Sequence, residues 1–271
     1  MNAEGGPTTD STSNNPLLEL RNASKAFGYV IALQNASLSA YAGSVVALVG
    51  DNGAGKSTLV KVLAGVHQMD SGELLIDGQP ATVNNPSDAQ QHGISTVFQD
   101  LALVEALDIA ANVYLGRPIM RGVFVNRAAM LEGAADLLRD LRIRVPSVRV
   151  PVGSLSGGQR QGVAIARSVL QQGRVIVMDE PTAALGVRET RHVEEIISEL
   201  RSRGRAVVLV SHDLELVFRM ADRIEVLRLG AVQGVRETKA TTREEIVGLI
   251  TGLLNEPSSG HQEPVTIQVP A

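Results

Sequence analysis

The sequence predicts an α/β fold in which a mixed sheet is combined with an antiparallel β subdomain and a helical subdomain. Three short runs, at residues 45–49, 175–178 and 207–210, are apolar at every position, as is typical of parallel strands buried on both faces. Alternating segments near the start favour antiparallel strands, and a long middle stretch has helical periodicity. At 271 residues, the chain has the size at which one core tends to divide into two lobes.

The first part of the chain accounts for the antiparallel strands. Residues 17–27 and 31–40 show partial alternation of apolar and polar side chains. Further on, Asp77-Gly78 separates two apolar segments, and Asp-Gly in that setting is a strong signal for a two-residue hairpin. We expect this hairpin to give the sheet an antiparallel edge.

A helical lobe is predicted for about residues 100–172. It follows a short helix at 87–92 and a buried strand at 94–98. Apolar residues recur at about the helical repeat in three segments, at residues 109–115, 127–141 and 157–172. The arginines between the last two segments, Arg142, Arg144 and Arg149, are expected to lie on a solvated loop.

The last part of the chain returns to the sheet. A helix between the second and third apolar runs places Val193, Ile196, Ile197 and Leu200 on one face, which we expect to be core. Its acidic residues are expected to be solvated, namely Glu194, Glu195 and Glu199. Residues 224–229 and 231–235 predict a final hairpin around Gly230.

Composition indicates the domain organisation and the class of protein. We expect one domain over residues 17–255, flanked by disordered tails at 1–16 and 256–271 that are rich in Gly, Pro and polar residues. A net charge of −4 and 3% aromatic residues argue against nucleic-acid binding. No apolar stretch is long enough to span a bilayer, there is no signal peptide and there is no cysteine, so a cytoplasmic protein is expected.

The run from Gly50 to Thr58 fits the phosphate-binding loop of nucleoside triphosphatases, with a strand before it and a helix after it. Glycines let backbone N–H groups turn towards an anion, and the following helix adds its positive end. Lys56 would reach the β- and γ-phosphates and Ser57 would bind Mg²⁺. The alternative is a glycine turn with a solvated lysine. The residues predicted to bind the nucleotide here are Gly50, Asn52, Gly53, Ala54, Gly55, Lys56, Ser57 and Thr58.

Two carboxylates close the apolar run at 175–178. Asp179 and Glu180 would emerge at the carboxyl end of a strand, where open α/β sheets bind their ligands. We assign Asp179 to Mg²⁺ and Glu180 to the attacking water. The alternative is an acidic pair that caps a helix.

A second anion site is predicted where the last helix of the lobe begins. Ser156 is a good N-cap, and the following glycines would leave the N–H groups of the first turn uncovered. The residues of this turn are Ser156, Gly157, Gly158 and Gln159. A helix start without a ligand is the alternative.

These motifs, in this order, resemble an ATPase subunit of the ABC type over about residues 17–253. The matching residues are 50–58, Gln99, 155–159, 175–180 and Ser211-His212. The resemblance implies ATP and Mg²⁺ as cofactors. It implies that Gln99 contacts Mg²⁺ and the transport partner, and that His212 contacts the γ-phosphate and positions water. It also places Phe27 on adenine, whereas spacing alone favours a core position.

The other histidines lie outside these motifs. A histidine without a surrounding motif is usually structural, which is our interpretation of His67, His92, His192 and His261.

The resemblance also implies an assembly. Two such domains face head to tail, so the phosphate loop of one and the Ser156 turn of the other enclose each ATP, and a chain with one of each should form a homodimer or pair with a related subunit. Residues 50–53 and 181–189 are similar to ATPases of bacterial ribose, xylose and fructose importers. That similarity implies a membrane permease, a periplasmic solute-binding protein and a site on the cytoplasmic face of the inner membrane.

One position departs from the family pattern. Gly186 stands where the family usually has Asp, which puts a link between the two ATP sites in question. A non-transport ABC ATPase that acts on ribosomes or nucleic acid, or a nucleotide-binding regulator without turnover, are the alternative functions.

Overall fold

The computed structural model describes residues 15–171 and 173–254. Most of the predicted N-terminal tail, the whole predicted C-terminal tail and His261 lie outside this part. The elements, in chain order, are β1 (Leu18–Phe27), β2 (Val30–Ala40), β3 (Val45–Val49), α1 (Lys56–Leu63), β4 (Ser71–Ile76), β5 (Gln79–Ala81), α2 (Pro86–Gln91), β6 (Ile94–Val97), α3 (Ile109–Val113), β7 (Met120–Arg121), β8 (Phe124–Val125), α4 (Arg127–Asp140), α5 (Gly157–Leu170), β9 (Val175–Asp179), α6 (Val187–Ser202), β10 (Ala206–Val210), α7 (Leu214–Met220), β11 (Arg223–Arg228), β12 (Ala231–Glu237) and α8 (Arg243–Thr251).

A six-stranded mixed sheet forms the centre, in the order β12-β11-β3-β10-β9-β6. The strands from β11 to β6 are parallel, and β12 pairs with β11 in the antiparallel sense, so the predicted mixed sheet and final hairpin are confirmed. Alternate residues of β3 enter different cores: Val45, Ala47 and Val49 pack on the side of the helical lobe, and Val46 and Leu48 on the side of α1. Burial on both faces explains why this strand is apolar throughout.

A separate antiparallel sheet has the order β2-β1-β4-β5. The hairpin predicted at Asp77-Gly78 connects β4 and β5, and both turn residues have positive φ, 51° and 76°, as a two-residue hairpin turn requires. However, the hairpin belongs to this second sheet, so the expectation that it would edge the parallel sheet was wrong. Local turn chemistry fixes a hairpin, whereas the sheet it joins depends on contacts that are distant in sequence.

The helical lobe contains α3, α4 and α5, as the periodicity predicted. Between α3 and α4 the structure adds a small hairpin, β7 and β8, which the sequence does not predict because strands of two residues are too short to show alternation. The loop arginines 142, 144 and 149 are exposed, as expected. Among the described residues, none of the helices combines the length and apolar character needed to cross a bilayer.

The stripe on α6 is buried as predicted, but two of its acidic residues are not solvated. Glu194 is half-buried and accepts a hydrogen bond at 2.6 Å from Arg219 on α7. Glu199 is half-buried and is paired with Arg203 at 2.9 Å. Ion pairs with nearby arginines hold these two carboxylates against the protein surface. Glu195, by contrast, is exposed.

Candidate functional site

The predicted phosphate loop connects β3 to α1 at the carboxyl edge of the parallel sheet. Gly55 lies immediately before the helix with φ 106°, and a Cβ built on it would lie 2.5 Å from the carbonyl oxygen of Ala32. Both the backbone angle and the close approach of β2 therefore require glycine. Within the loop Gly50 and Ala54 are buried, whereas Asn52 and Gly53 are exposed.

The ammonium group of Lys56 is already hydrogen-bonded inside the loop. Its Nζ donates to the carbonyl oxygen of Gly50 at 2.7 Å and to that of Asp51 at 3.0 Å. The ammonium group of Lys56 therefore lies across the loop and is held by two of its backbone carbonyl oxygens. Ser57 is exposed and Thr58 half-buried in the first turn of α1.

Asp179 is the last residue of β9 and is half-buried. Burial and the adjacent Glu180 carboxylate raise its pKa, and the ammonium groups of Lys56 and Lys61 act in the opposite direction. A half-buried carboxylate with a second carboxylate beside it is a favourable place for a cation. The hydroxyl of Ser57 supplies another hard oxygen donor, so the donor types present fit Mg²⁺.

Glu180 and His212 follow neighbouring parallel strands. The Glu180 N–H donates to the carbonyl oxygen of Val210 at 2.9 Å, which holds it against the end of β10. His212 Nδ1 lies 2.9 Å from Glu180 Oε1, with the side chain of His212 72% exposed and that of Glu180 15% exposed. Glu180 adopts φ 49°, a conformation that non-glycine residues rarely populate and that occurs at functional sites.

Phe27 does not lie in the core, so the interpretation from spacing alone was wrong. At the end of β1 its side chain is 44% exposed. It packs edge-on against His67, with the ring centroids 5.0 Å apart, and Lys25 Nζ lies 5.5 Å from the ring centroid. His67, which the sequence predicts to be an ordinary structural histidine, therefore lies beside Phe27, and no local sequence signal indicates this contact.

Gln99 is exposed and lies just beyond the end of β6. The segment that follows it is held down by Arg167 on α5, which donates to the carbonyl oxygens of Leu101 at 2.7 Å and Ala102 at 2.8 Å. These hydrogen bonds attach α5 of the helical lobe to the segment that follows β6, at the same end of the sheet as the other predicted site residues.

The turn at Ser156 forms a complete capping box. The Gln159 N–H donates to Ser156 Oγ at 3.3 Å, and Gln159 Oε1 accepts from the Ser156 N–H at 3.0 Å. Neither glycine of the turn is fully open, contrary to the prediction: Gly158 is buried and Gly157 half-buried. The segment before and at the start of α6 covers them.

Comparisons with known proteins show what the chain is similar to. The sequence profile of the family described as ABC transporter matches residues 33–183. The chain is 44% identical over 235 residues to the xylose/arabinose import ATP-binding protein XylG of Sulfolobus acidocaldarius, covering 87% of this chain and 94% of that protein. It is 43% identical over 250 residues to the fructose import ATP-binding protein FrcA of Rhizobium meliloti, covering 89% and 96%.

Solved structures of similar shape are ATP-binding cassettes. A nucleotide-free cassette from an ABC transporter superposes with a TM-score of 0.74 at 26% identity, covering 87% of this chain and 95% of that one. A dimeric post-hydrolysis cassette bound to ADP and phosphate gives 0.69 at 26% identity, covering 83% and 100%. The match of profile, sequence and fold shows that the chain belongs to the ABC transporter family of ATPases.

Proposed function

We propose that this chain is the ATP-hydrolysing subunit of an importer for a small solute, a monosaccharide, that crosses the membrane through a separate permease. The observation that carries the proposal is the Glu180–His212 pair at the carboxyl ends of the adjacent strands β9 and β10, the second of which neighbours β3, the strand that leads into the phosphate loop. The sugar assignment is supported by the xylose/arabinose and fructose import proteins to which the chain is similar.

Different residues are proposed to bind the triphosphate, the adenine and the metal ion. Lys56 and the loop residues 50–58 bind the triphosphate, and Phe27 offers its exposed face to the adenine. Ser57, Asp179 and Gln99 would hold Mg²⁺, which when bound screens the charge of the phosphate oxygens.

Glu180 accepts a proton from the attacking water, whose oxygen bonds to the γ-phosphorus as the bond to ADP breaks. His212 Nδ1 holds the Glu180 carboxylate in position and the imidazole contacts the γ-phosphate.

The site is completed by a second subunit. Each chain contributes one phosphate loop and one Ser156 turn, so we propose a homodimer or a pair with a related subunit, in which Ser156 and residues 157–159 of one protomer face the nucleotide held by the other. ATP then favours the closed dimer, and hydrolysis releases it. A dimeric arrangement among the similar structures supports this.

The proposed partners follow from the import function. A membrane permease docks on the helical lobe near Gln99, and a periplasmic solute-binding protein delivers the sugar from the other side, which places the chain on the cytoplasmic face of the inner membrane. Nucleic acid is not a proposed partner, because the net charge of −4 does not provide the basic surface that such binding requires.

The test combines trapping with transport. With ATP and Mg²⁺, the Glu180→Gln variant should accumulate as a nucleotide-bound dimer in light scattering, whereas wild type should turn over and remain largely monomeric. In vesicles that contain the permease, wild type should support ATP-dependent sugar uptake and Lys56→Ala should not. If neither the dimer nor uptake were observed, and salt-sensitive RNA or DNA binding were, the non-transport alternative would replace this proposal.

A further inference from the structure

The hairpin formed by β7 and β8 carries large apolar side chains on the surface of the helical lobe. Val123 is 83% exposed and Phe124 is 76% exposed, and more than half of Met120 and of Val125 is exposed as well. Single apolar residues on a protein surface are ordinary, whereas four of them in one short hairpin form a patch that indicates an interaction site.

The tip of the hairpin projects from the lobe. Among the described strands, β7 and β8 pair only with each other. A Cβ built on Gly122, in the turn, would meet no other atom within 4 Å, and its φ of 62° suits the first position of a type II′ turn. A projecting tip must be surrounded by its partner, and a fluid layer of lipid can surround it without a preformed pocket.

The base of the hairpin is fixed to the rest of the lobe. The Asn126 N–H donates to the carbonyl oxygen of Ile119 at 2.7 Å, and the Asn126 side chain caps α4 by accepting from the Ala129 N–H at 3.1 Å. Ile119 itself packs against the core. The fold therefore holds the apolar tip in one orientation, and binding costs it little further conformational entropy.

The chain around the hairpin is positively charged. Residues 109–131 contain three arginines and neither aspartate nor glutamate, although the net charge of the whole chain is −4. Arg127 forms an ion pair with Asp108 at the base of the hairpin. Arg117 and Arg121 are exposed, and no acidic residue of the described chain forms an ion pair with either of them. Two guanidinium groups are thus available to an anionic partner.

The register of the hairpin places charge beside the apolar tip. Arg121 pairs across the hairpin with Phe124, so the two side chains lie on the same face. A guanidinium on a flexible stem can reach lipid head groups while the neighbouring ring enters the acyl boundary. Apolar insertion combined with positive charge matches an anionic bilayer, whereas the like charges of two hairpins would oppose contact between copies of this chain.

We propose that the β7–β8 hairpin binds the helical lobe to an anionic lipid bilayer. In this contact Val123 and Phe124 insert among the lipids, and Arg117 and Arg121 contact the phosphate groups. The lipid contact goes beyond the proposed function, because it requires neither nucleotide nor permease. In the proposed importer it holds the helical lobe at the bilayer surface beside the permease.

The first test uses the absence of tryptophan from the sequence, since a single introduced tryptophan reports only its own surroundings. The emission of Phe124→Trp in the full chain should shift to the blue, with protection from acrylamide, when vesicles of phosphatidylcholine and phosphatidylglycerol are added. Vesicles of phosphatidylcholine alone should give a much smaller shift, and salt should reduce the shift with mixed vesicles. Tyr29→Trp, in the exposed turn between β1 and β2, is the control and should show no shift.

The second test measures sedimentation with the mixed vesicles. Phe124→Ala should weaken binding about tenfold through loss of apolar insertion, and Arg121→Gln should weaken it about fivefold. Val187→Ala and Arg149→Gln change an exposed apolar and an exposed basic residue elsewhere, and both should bind like wild type. All four variants should keep the wild-type melting temperature and the wild-type ATPase rate without vesicles, because the side chains are exposed.

Three outcomes would overturn the lipid contact and leave the proposed function intact. The first is a Phe124→Trp emission that does not respond to mixed vesicles. The second is a blue shift that depends on protein concentration in the absence of lipid, which would assign the hairpin to contact between copies. The third is a wild-type protein that binds only vesicles containing the permease, with Phe124→Ala abolishing that binding, which would assign the hairpin to the permease.

The converse result separates the two proposals from the other side. A chain that binds mixed vesicles through Phe124 and Arg121, but neither hydrolyses ATP nor dimerises, would support the lipid contact and overturn the proposed function.

Discussion

The Nδ1 atom of His212 lies 2.9 Å from Oε1 of Glu180, and this contact joins the ends of two adjacent parallel strands. With Nδ1–H donating to the carboxylate, the Nε2 atom is left for a second partner, and the high exposure of the ring places that atom on the surface. The pair is therefore arranged so that the imidazole holds the proposed base through Nδ1 and presents Nε2 at the surface, where we propose that it contacts the γ-phosphate.

The first prediction concerns this pair. His212→Ala should lower kcat for ATP hydrolysis by about 10²-fold, because a group that acts in the transition state is lost, while ATP affinity changes by less than about threefold. Steady-state ATPase assays and equilibrium nucleotide binding measure the two quantities. His92→Ala, at the end of α2, is the histidine control and should have no effect on either. A His212→Ala enzyme with wild-type kcat would remove His212 from the site.

The second prediction concerns the internal hydrogen bonds of Lys56. Lys56→Ala should abolish the rise in melting temperature that ATP produces in wild type, because ligand stabilisation requires binding. Without nucleotide it should also lower the melting temperature by about 2–4 °C, since the carbonyl oxygens of Gly50 and Asp51 lose their donor. Lys61→Ala, an exposed lysine of the same helix, should keep most of the ATP-induced rise. A full ATP shift in Lys56→Ala would contradict the assignment.

The third prediction uses the exposure of Phe27. Phe27→Ala should weaken ATP binding about 5- to 100-fold through loss of base stacking, and Phe27→Tyr should retain it. Binding of inorganic triphosphate should be unchanged, because it has no base. Tyr29→Ala removes a neighbouring exposed ring and serves as the control. Equal losses for ATP and triphosphate would show that Phe27 supports the phosphate loop and not the base.

The sequence was sufficient to predict features that depend only on residues close together in the chain. The phosphate loop is a contiguous pattern whose glycines, lysine and flanking strand and helix are all adjacent, and the apolar runs report burial directly. The same is true of the Ser156 cap, where the side chain of Gln159 reaches only three residues back.

Sequence was insufficient where the answer depends on contacts between distant segments. Phe27 is exposed because β1 ends at this residue. An aromatic residue type alone does not reveal that its position is exposed. His67 reaches Phe27 across a separation of forty residues in the chain. Gly158 is covered because α5 packs on α6, so a glycine that looks open in the sequence is buried in the fold.

The fourth prediction concerns Glu225, a buried carboxylate in the centre of β11. Burial raises its pKa to about 7, and Arg223 and the backbone N–H of Ser39 offset only part of this effect. The folded state therefore holds the proton more tightly than the unfolded state, whose pKa is near 4.5. The stability that this provides is complete below pH 4.5 and is lost as the pH rises through about 7.

The measurement compares wild type with Glu225→Gln, which cannot ionise. The free energy of unfolding from urea titrations should fall in wild type relative to the variant by up to about 3 kcal/mol between pH 5 and pH 8. Glu195→Gln, at an exposed position, should follow the wild-type profile. Parallel profiles for wild type and Glu225→Gln would mean that the Glu225 carboxylate finds enough compensation in the folded protein to titrate normally.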